Sequence, residues 1–262
     1  MSKHLTMYTH QPWSPSKVGL LSQCTKAFEY RYILKLKGTE SGTESRVGTA
    51  VHRVQESVLD GLSVLKAIDQ TLEEIPSLTS GEIESVRSFT SAVVKFKDKL
   101  DAFTEAHPIV AIHKEKKLAI DKDFKACDYD SPECFLRGNI DVLVVTQSGY
   151  LVIIDHKTGK IRSIDKHAKQ LDMYTVLGLA NYPEARGAQT AIHYVAYNTR
   201  IDWGPTRSRA QAEALLHPYL NSYFTSQVAR LAEIKATITP LCNWCNFQQI
   251  CPDWLAYAKE TA

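Results

Sequence analysis

The sequence predicts an α/β protein with a mixed central sheet, helices on its faces and an N-terminal helical part. Three observations lead to this class. Apolar residues follow a helical period up to about residue 105 and a strand-like pattern after it. Two strand-like runs, "FLRGNIDVLVVTQ" and "YLVIIDHKTG", flank Gly149 and so predict a hairpin. A further strand follows a helical segment, which is the order expected of a mixed sheet.

The helical part is predicted to span residues 14–105. A Ser-Pro-Ser cap begins a first helix that carries Cys24, Phe28 and Tyr32 on one face and ends near Gly38. "RVGTAVHRVQESVLDGL" predicts a second helix. "SGEIESVRSFTSAVVKFKDKLDAF" predicts a long amphipathic helix that begins at Ser80.

The middle of the chain, residues 106–200, is predicted to form the core. Strands are expected over 109–120, 135–147, 150–159 and 190–198, with the helix "IDKHAKQLDMYTVLGLANY" before the last of them. A long helix near 208–236 and a cysteine-rich tail make up a C-terminal part, residues 201–262. No linker separates these parts, so one domain over residues 1–262 is expected.

Composition limits the class of protein. The chain of 262 residues is 44% hydrophobic and 23% charged, with a net charge of +2, which neither requires nor excludes a nucleic-acid partner. No stretch approaches the roughly 18 apolar residues of a membrane span, and the N-terminus lacks a secretory pattern. A cytoplasmic protein without membrane contact is expected, and disulfides are then unexpected for its six cysteines.

Two aspartates and a lysine end the two hairpin strands. Asp141 closes "RGNID" and Asp155 closes "LVIID". Adjacent strands lie about 4.8 Å apart, so the two carboxylates can share one cation. Lys157, two residues beyond Asp155, points to the same side. This set suits metal-assisted phosphodiester hydrolysis, whereas the alternative is a surface hairpin with solvated ends.

The segment "GNIDVLVVTQSGYLVIIDHKTGK" resembles the core of the PD-(D/E)xK nuclease superfamily, in its RecB-like branch. Asp141, Asp155 and Lys157 fall on the pattern of that branch. The resemblance implies a restriction-endonuclease-like fold and assigns these three residues to catalysis, with both aspartates binding metal.

Three further segments match the same family. "VGTAVHRVQE" resembles its helical Gly-x-x-x-His motif and implies that His52 binds metal. "IHKEKKLAI" implies an acidic residue, Glu115, on the first core strand. "KQLDMY" resembles the Gln-x-x-x-Tyr motif and implies that Gln170 and Tyr174 belong to the catalytic site. Taken singly, these could be an ordinary helix histidine, a solvated strand face and the rim of an amphipathic helix.

The cysteines Cys242, Cys245 and Cys251 form a C-x2-C-x5-C run, a pattern that favours a metal site over a packing feature. A fourth ligand must come from elsewhere in the chain. The remaining cysteines are Cys24, Cys127 and Cys134.

The resemblance selects Cys24 as the fourth ligand. Iron–sulfur-stapled RecB-like nucleases, including the AddB nuclease domain and the nucleases of CRISPR adaptation, place one cysteine in the first helix and three near the C-terminus. The resemblance thus implies a 4Fe–4S cluster, with zinc as the alternative because four thiolates hold either. Cys127 and Cys134 are expected to be free thiols near a loop.

The function that the resemblance implies is a metal-dependent DNA nuclease. It would use Mn²⁺ or Mg²⁺ to degrade single-stranded DNA from an end, with 5′ to 3′ favoured, and could also cut internally. The alternative is a DNA-binding or assembly subunit in which catalysis is dispensable. A helicase, a recombinase or an annealing protein would be a fitting partner, since no P-loop is present. Arg200, Arg207 and Arg209 are candidate phosphate contacts.

Overall fold

The computed structural model describes residues 12–39, 42–197 and 199–261. The chain divides into two compact units, residues 43–216 and residues 1–42 with 217–262. The expectation of one domain stays a prediction. Among the described residues, no helix is both long and apolar enough to cross a membrane.

The larger unit contains a five-stranded sheet in the order β1-β2-β3-β4-β5. Its strands are β1 (Ile109–Ile120), β2 (Leu136–Thr146), β3 (Tyr150–Lys157), β4 (Gly187–Tyr194) and β5 (Arg200–Ser208). β3 and β4 are parallel and the other pairs are antiparallel. The predicted mixed sheet flanked by helices is therefore confirmed.

Both faces of this sheet are covered by helices. α7 (Ala168–Asn181) connects β3 to β4 and packs closely on one face, where a Cβ at Gly178 would lie 2.8 Å from Cδ1 of Ile153. On the other face, Phe96 and Leu100 of α6 (Thr90–Ala106) pack on apolar residues of β2 and β3. Alternating residues of β3 thus face two separate parts of the core.

In the larger unit, four described helices precede the sheet. They are α3 (Thr43–Leu59), α4 (Val64–Glu74), α5 (Ser80–Ser88) and α6. Valines of α3 form their common core with residues of the other three. α4 was not predicted. The predicted single helix from Ser80 is interrupted at Phe89, and its capping box uses Thr79 and Glu82 instead of a cap at Ser80.

The smaller unit begins with α1 (Pro15–Gln23) and α2 (Thr25–Phe28), followed by a π-helical turn, Glu29–Ile33. The predicted continuous helix is broken at Cys24, whose backbone is extended with φ −157°. The thiol of Cys24 then caps α2 by accepting the N–H of Ala27 at 3.4 Å. A residue that the helical pattern placed inside one helix therefore separates two.

The C-terminal segment of this unit packs directly on the N-terminal one. It contains α9 (Asn221–Ala229) and α10 (Pro252–Thr261). Trp13 stacks on Phe224 with ring centroids 5.2 Å apart, and Arg230 donates to the carbonyl of Leu21 at 2.9 Å. The two ends of the described chain are thus held together by protein contacts.

The region predicted as one helix over 208–236 is more varied. Its first residue, Ser208, ends β5, then α8 (Arg209–Ala214) follows, and a π-helical turn, Leu215–Leu220, leads to α9. β5 is an edge strand, and so it accommodates Pro205, which has no N–H to donate.

Candidate functional site

The pairing of β2 and β3 ends next to the two aspartates. Residues are paired from Val145 with Leu151 to Val142 with Ile154, and Asp141 and Asp155 follow directly. There the backbone N–H of His156 donates to Oδ2 of Asp141 at 2.6 Å. The carboxylate of Asp141 is therefore fixed by the main chain of the neighbouring strand.

His52, Glu115 and Asp141 bring three ligand atoms within 4.8 Å of one another. Nδ1 of His52 lies 3.7 Å from Oδ1 of Asp141 and 3.9 Å from Oε1 of Glu115. Glu115 has φ 45°, a left-handed conformation that costs a non-glycine residue about 1–3 kcal/mol. A nitrogen with two carboxylates in this arrangement suits a divalent cation.

Asp155 lies beside this group and is held by two side chains. Nζ of Lys157 is 2.5 Å from Oδ2 of Asp155, and Nε2 of Gln170 donates to Oδ1 at 2.7 Å. Gln170 also donates to the hydroxyl of Tyr174 at 3.2 Å, and that hydroxyl donates to the carbonyl of Asn139 at 2.9 Å. Only 3% of Asp155 is exposed, so these partners replace water around its carboxylate.

The charges in the site shift two pKa values in the same direction. Burial, followed by the charge of Asp155, raises the pKa of Asp141 to about 7. Burial opposes protonation of His52, but the nearby carboxylates of Glu115 and Asp141 outweigh it and raise its pKa. Both shifts indicate an excess of negative charge that a bound cation would neutralise.

The site opens into a cleft of ≈ 890 Å³. Its described lining includes six carboxylates, those of Glu44, Glu56, Asp60, Glu74, Glu115 and Asp141. The two permanent cations of this lining are Lys157 and Arg53, and Arg53 is paired with Glu74 at 2.6 Å. A phosphate would be repelled by such a cleft unless a cation entered first.

Two residues of the cleft were not singled out from the sequence. Asn139 donates its side-chain amide to Oε2 of Glu115. The pKa of Glu56 is raised by burial and then by the charges of Glu115 and Asp60. Their spacing is the one feature of the sequence that could have indicated these two residues. Asn139 precedes Asp141 by two strand positions, and Glu56 follows His52 by one helical turn.

The smaller unit brings four thiols together. Cys24, Cys242, Cys245 and Cys251 line one small cavity, and Tyr30 and Phe247 close it with apolar rings. Burial raises the pKa of Cys245, as do the charges of the other three cysteines. Among the described residues, no three of these sulfurs lie mutually within 4.8 Å.

The two other cysteines belong to the larger unit. Cys134 is 4% exposed, and burial, with Cys127 as its neighbour, raises its pKa to about 12. Such a thiol reacts slowly because little thiolate forms.

The three arginines expected to contact phosphate are engaged within the chain. Arg200 pairs with Asp202 at 2.6 Å and Arg207 with Asp172 at 2.8 Å. Arg209 donates to the carbonyl of Tyr182 at 2.7 Å. These contacts favour a structural role for all three.

The chain was compared with known proteins. A family model of the PD-(D/E)XK nuclease superfamily matches residues 12–252. A search of curated proteins finds no match. A crystal structure of a candidate exonuclease from Eubacterium rectale is 13% identical in sequence, with a TM-score of 0.51. The match covers 94% of this chain and 92% of the exonuclease chain. The crystal structure of SSO0001 is 16% identical over 90% of this chain and 95% of its own, with a TM-score of 0.33.

The first of these structures supports the fold, and the family model spans both units and every residue of the site described above. This chain belongs to the PD-(D/E)XK nuclease superfamily.

Proposed function

We propose that this nuclease is a DNA exonuclease of the RecB-like branch that hydrolyses single strands with Mn²⁺ or Mg²⁺ and also cuts internally. The observation that carries the proposal is the convergence of His52, Glu115 and Asp141 next to the Asp155–Lys157 pair. The 5′ to 3′ direction rests on the resemblance of the sequence to that branch alone.

His52, Glu115 and Asp141 would hold the metal, with Asp155 beside them. When bound, a divalent ion lowers the pKa of a water molecule and neutralises charge on the phosphate. The N–H of His156 keeps Oδ2 of Asp141 occupied, so Oδ1 is left to face His52. An imidazole ligand favours Mn²⁺ over Mg²⁺, because Mg²⁺ prefers oxygen ligands.

Lys157 would act on the reacting phosphate. Its side chain lines the cleft and is 31% exposed, and its ammonium is oriented by Asp155, which Gln170 orients in turn. A cation held in this way can stabilise charge that develops during hydrolysis without reorganising.

The preference for a single-stranded substrate, like the direction of degradation, rests on the resemblance of the sequence to the RecB-like branch.

The four thiols of the smaller unit would hold a 4Fe–4S cluster. In a tetrahedral zinc site, with Zn–S bonds of about 2.3 Å, the sulfurs would lie only about 3.8 Å apart. In a 4Fe–4S cluster each cysteine binds a different iron. The choice of the cluster over zinc rests on the resemblance of the sequence to the iron–sulfur-stapled nucleases.

The aspartate that pairs with Lys157 is tested by Asp155→Asn, which keeps the shape of the side chain and removes its charge. We expect cleavage of end-labelled single-stranded DNA to be lost with either Mn²⁺ or Mg²⁺, because the metal and Lys157 both depend on this carboxylate. Labels at the 5′ and 3′ ends in separate reactions give the direction. The control is Asp165→Asn, at an exposed site. Wild-type cleavage by Asp155→Asn would contradict the proposed site.

The role of the lysine is tested by Lys157→Ala. We expect the single-turnover rate to fall about a hundredfold, which corresponds to roughly 2.7 kcal/mol, with DNA affinity nearly unchanged. Lys160→Ala removes an exposed lysine three residues away and should alter neither quantity. A loss of affinity with an unchanged rate at saturating DNA would make Lys157 an ordinary phosphate contact.

Metal binding should depend on pH. The pKa of Asp141 is raised to about 7 and that of His52 is also raised, so both groups bind protons more readily than usual in mildly acidic solution, and a metal must displace these protons. Affinity for Mn²⁺, measured without DNA, should therefore increase from pH 6 to pH 8, by about tenfold per pH unit for each proton displaced. Calorimetry in two buffers would count the protons released. An affinity that stayed constant over this range would contradict the assignment.

The cluster is tested by iron and sulfide analysis of protein purified without oxygen. We expect both in near-equal amounts with broad visible absorbance, and Cys24→Ala should lose the absorbance because a ligand is missing. Loss of the cluster in Cys24→Ala should also lower the melting temperature, by about 2–4 °C for each kcal/mol of stability that is lost. Cys127→Ala is the matched control and should keep the absorbance. Cys134 is less suitable as a control, because it is buried and a serine there would itself destabilise the protein. Zinc at one equivalent without iron would contradict the cluster.

A further inference from the structure

Two buried histidines lie directly behind the metal ligands. His156 of β3 and His193 of β4 are neighbours in the parallel register, and their Nδ1 atoms are 2.9 Å apart. They are 4% and 0% exposed. The ring of Phe96 stacks on His193 at 4.3 Å and meets the edge of His156 at 4.8 Å. The pair therefore lies in the apolar layer beneath α6.

Burial of this pair is energetically unfavourable. The Nε2 atom of each ring has no hydrogen-bond partner among the described residues. An unpaired buried polar group costs about 1–3 kcal/mol, whereas two apolar side chains would fill the same space without that cost. Burial lowers the pKa of His193 to about 3 and that of His156 well below its usual value, so both rings are neutral. One Nδ1 must then donate and the other accept.

His156 contacts two of the proposed metal ligands. Its backbone N–H holds Oδ2 of Asp141 at 2.6 Å. Its ring meets the ring of His52 edge-on, with centroids 5.8 Å apart and planes at 85°. One residue thus contacts two ligands, Asp141 through its backbone and His52 through its ring, and the ring of His156 is hydrogen-bonded to His193.

We infer that His193 is a positioning residue for the metal site and acts through its hydrogen bond to His156. The inference rests on the metal site of the proposed function. Hydrogen bonds behind a metal ligand fix its orientation, and their loss typically weakens metal binding by about 10- to 100-fold. Neither the metal nor the substrate would touch His193 itself, which is fully buried.

The test is equilibrium binding of Mn²⁺, followed by electron paramagnetic resonance without DNA. His193→Phe keeps a ring against Phe96 but removes the hydrogen bond, and should weaken Mn²⁺ binding about 10- to 100-fold. The single-turnover rate at saturating Mn²⁺ should change far less. His193→Asn places an amide near the position of Nδ1 and should restore most of the affinity.

A control separates positioning from loss of stability. Leu100→Ala removes packing between α6 and the same face of the sheet without altering the histidines. It should lower the melting temperature but leave Mn²⁺ affinity unchanged. Wild-type Mn²⁺ affinity in His193→Phe would overturn the inference. A folded His193→Asn variant whose Mn²⁺ affinity is also reduced about 10- to 100-fold would overturn it as well. Wild-type protein that bound no Mn²⁺ would overturn the metal site as well.

Discussion

Repulsion among carboxylates is the constraint on which the site depends. Glu115, Asp141 and Asp155 come from three successive strands of one sheet, and the side chains of Asp141 and Asp155 are largely buried where they meet. Two like charges about 4 Å apart repel by on the order of 4 kcal/mol near a protein surface. Lys157 and the N–H of His156 offset part of this repulsion. Burial, and after it the charge of Asp155, raises the pKa of Asp141, and a bound cation would offset the charge of both carboxylates.

The apolar layers of the larger unit keep these groups from moving apart. α7 approaches the sheet closely at Gly178, and so Gln170 on the same helix reaches Asp155. α6 covers the opposite face, where Phe96 contacts both buried histidines. Because packed side chains adjust little, the carboxylates cannot relax toward solvent. The hydrophobic core therefore supplies the energy that maintains an unfavourable arrangement of charge.

The sequence predicted what depends on local pattern. The β2–β3 hairpin and the placement of Gln170 and Tyr174 on one helix follow from periodicity and from Gly149. β5 was missed because Gly204 and Pro205 interrupt its pattern, although an edge position tolerates them. The extended backbone at Cys24 and the left-handed backbone of Glu115 have no signal in the apolar pattern, which reports the period of an element and not the dihedral angles of one residue. The N–H of His156 that holds Asp141 could not be foreseen, since every residue has such a group.

The contacts of the smaller unit change what a metal cluster would contribute there. Trp13 with Phe224, and Arg230 with Leu21, already join the N-terminal and C-terminal segments. A cluster would therefore not be needed to bring these two segments together. Between residues 232 and 251, however, Phe247 is the one described side chain that is buried, and Trp244 is 66% exposed. A segment with so little apolar burial cannot order itself by hydrophobic packing, so bonds from its three thiols to a metal centre would supply the order that a core supplies elsewhere.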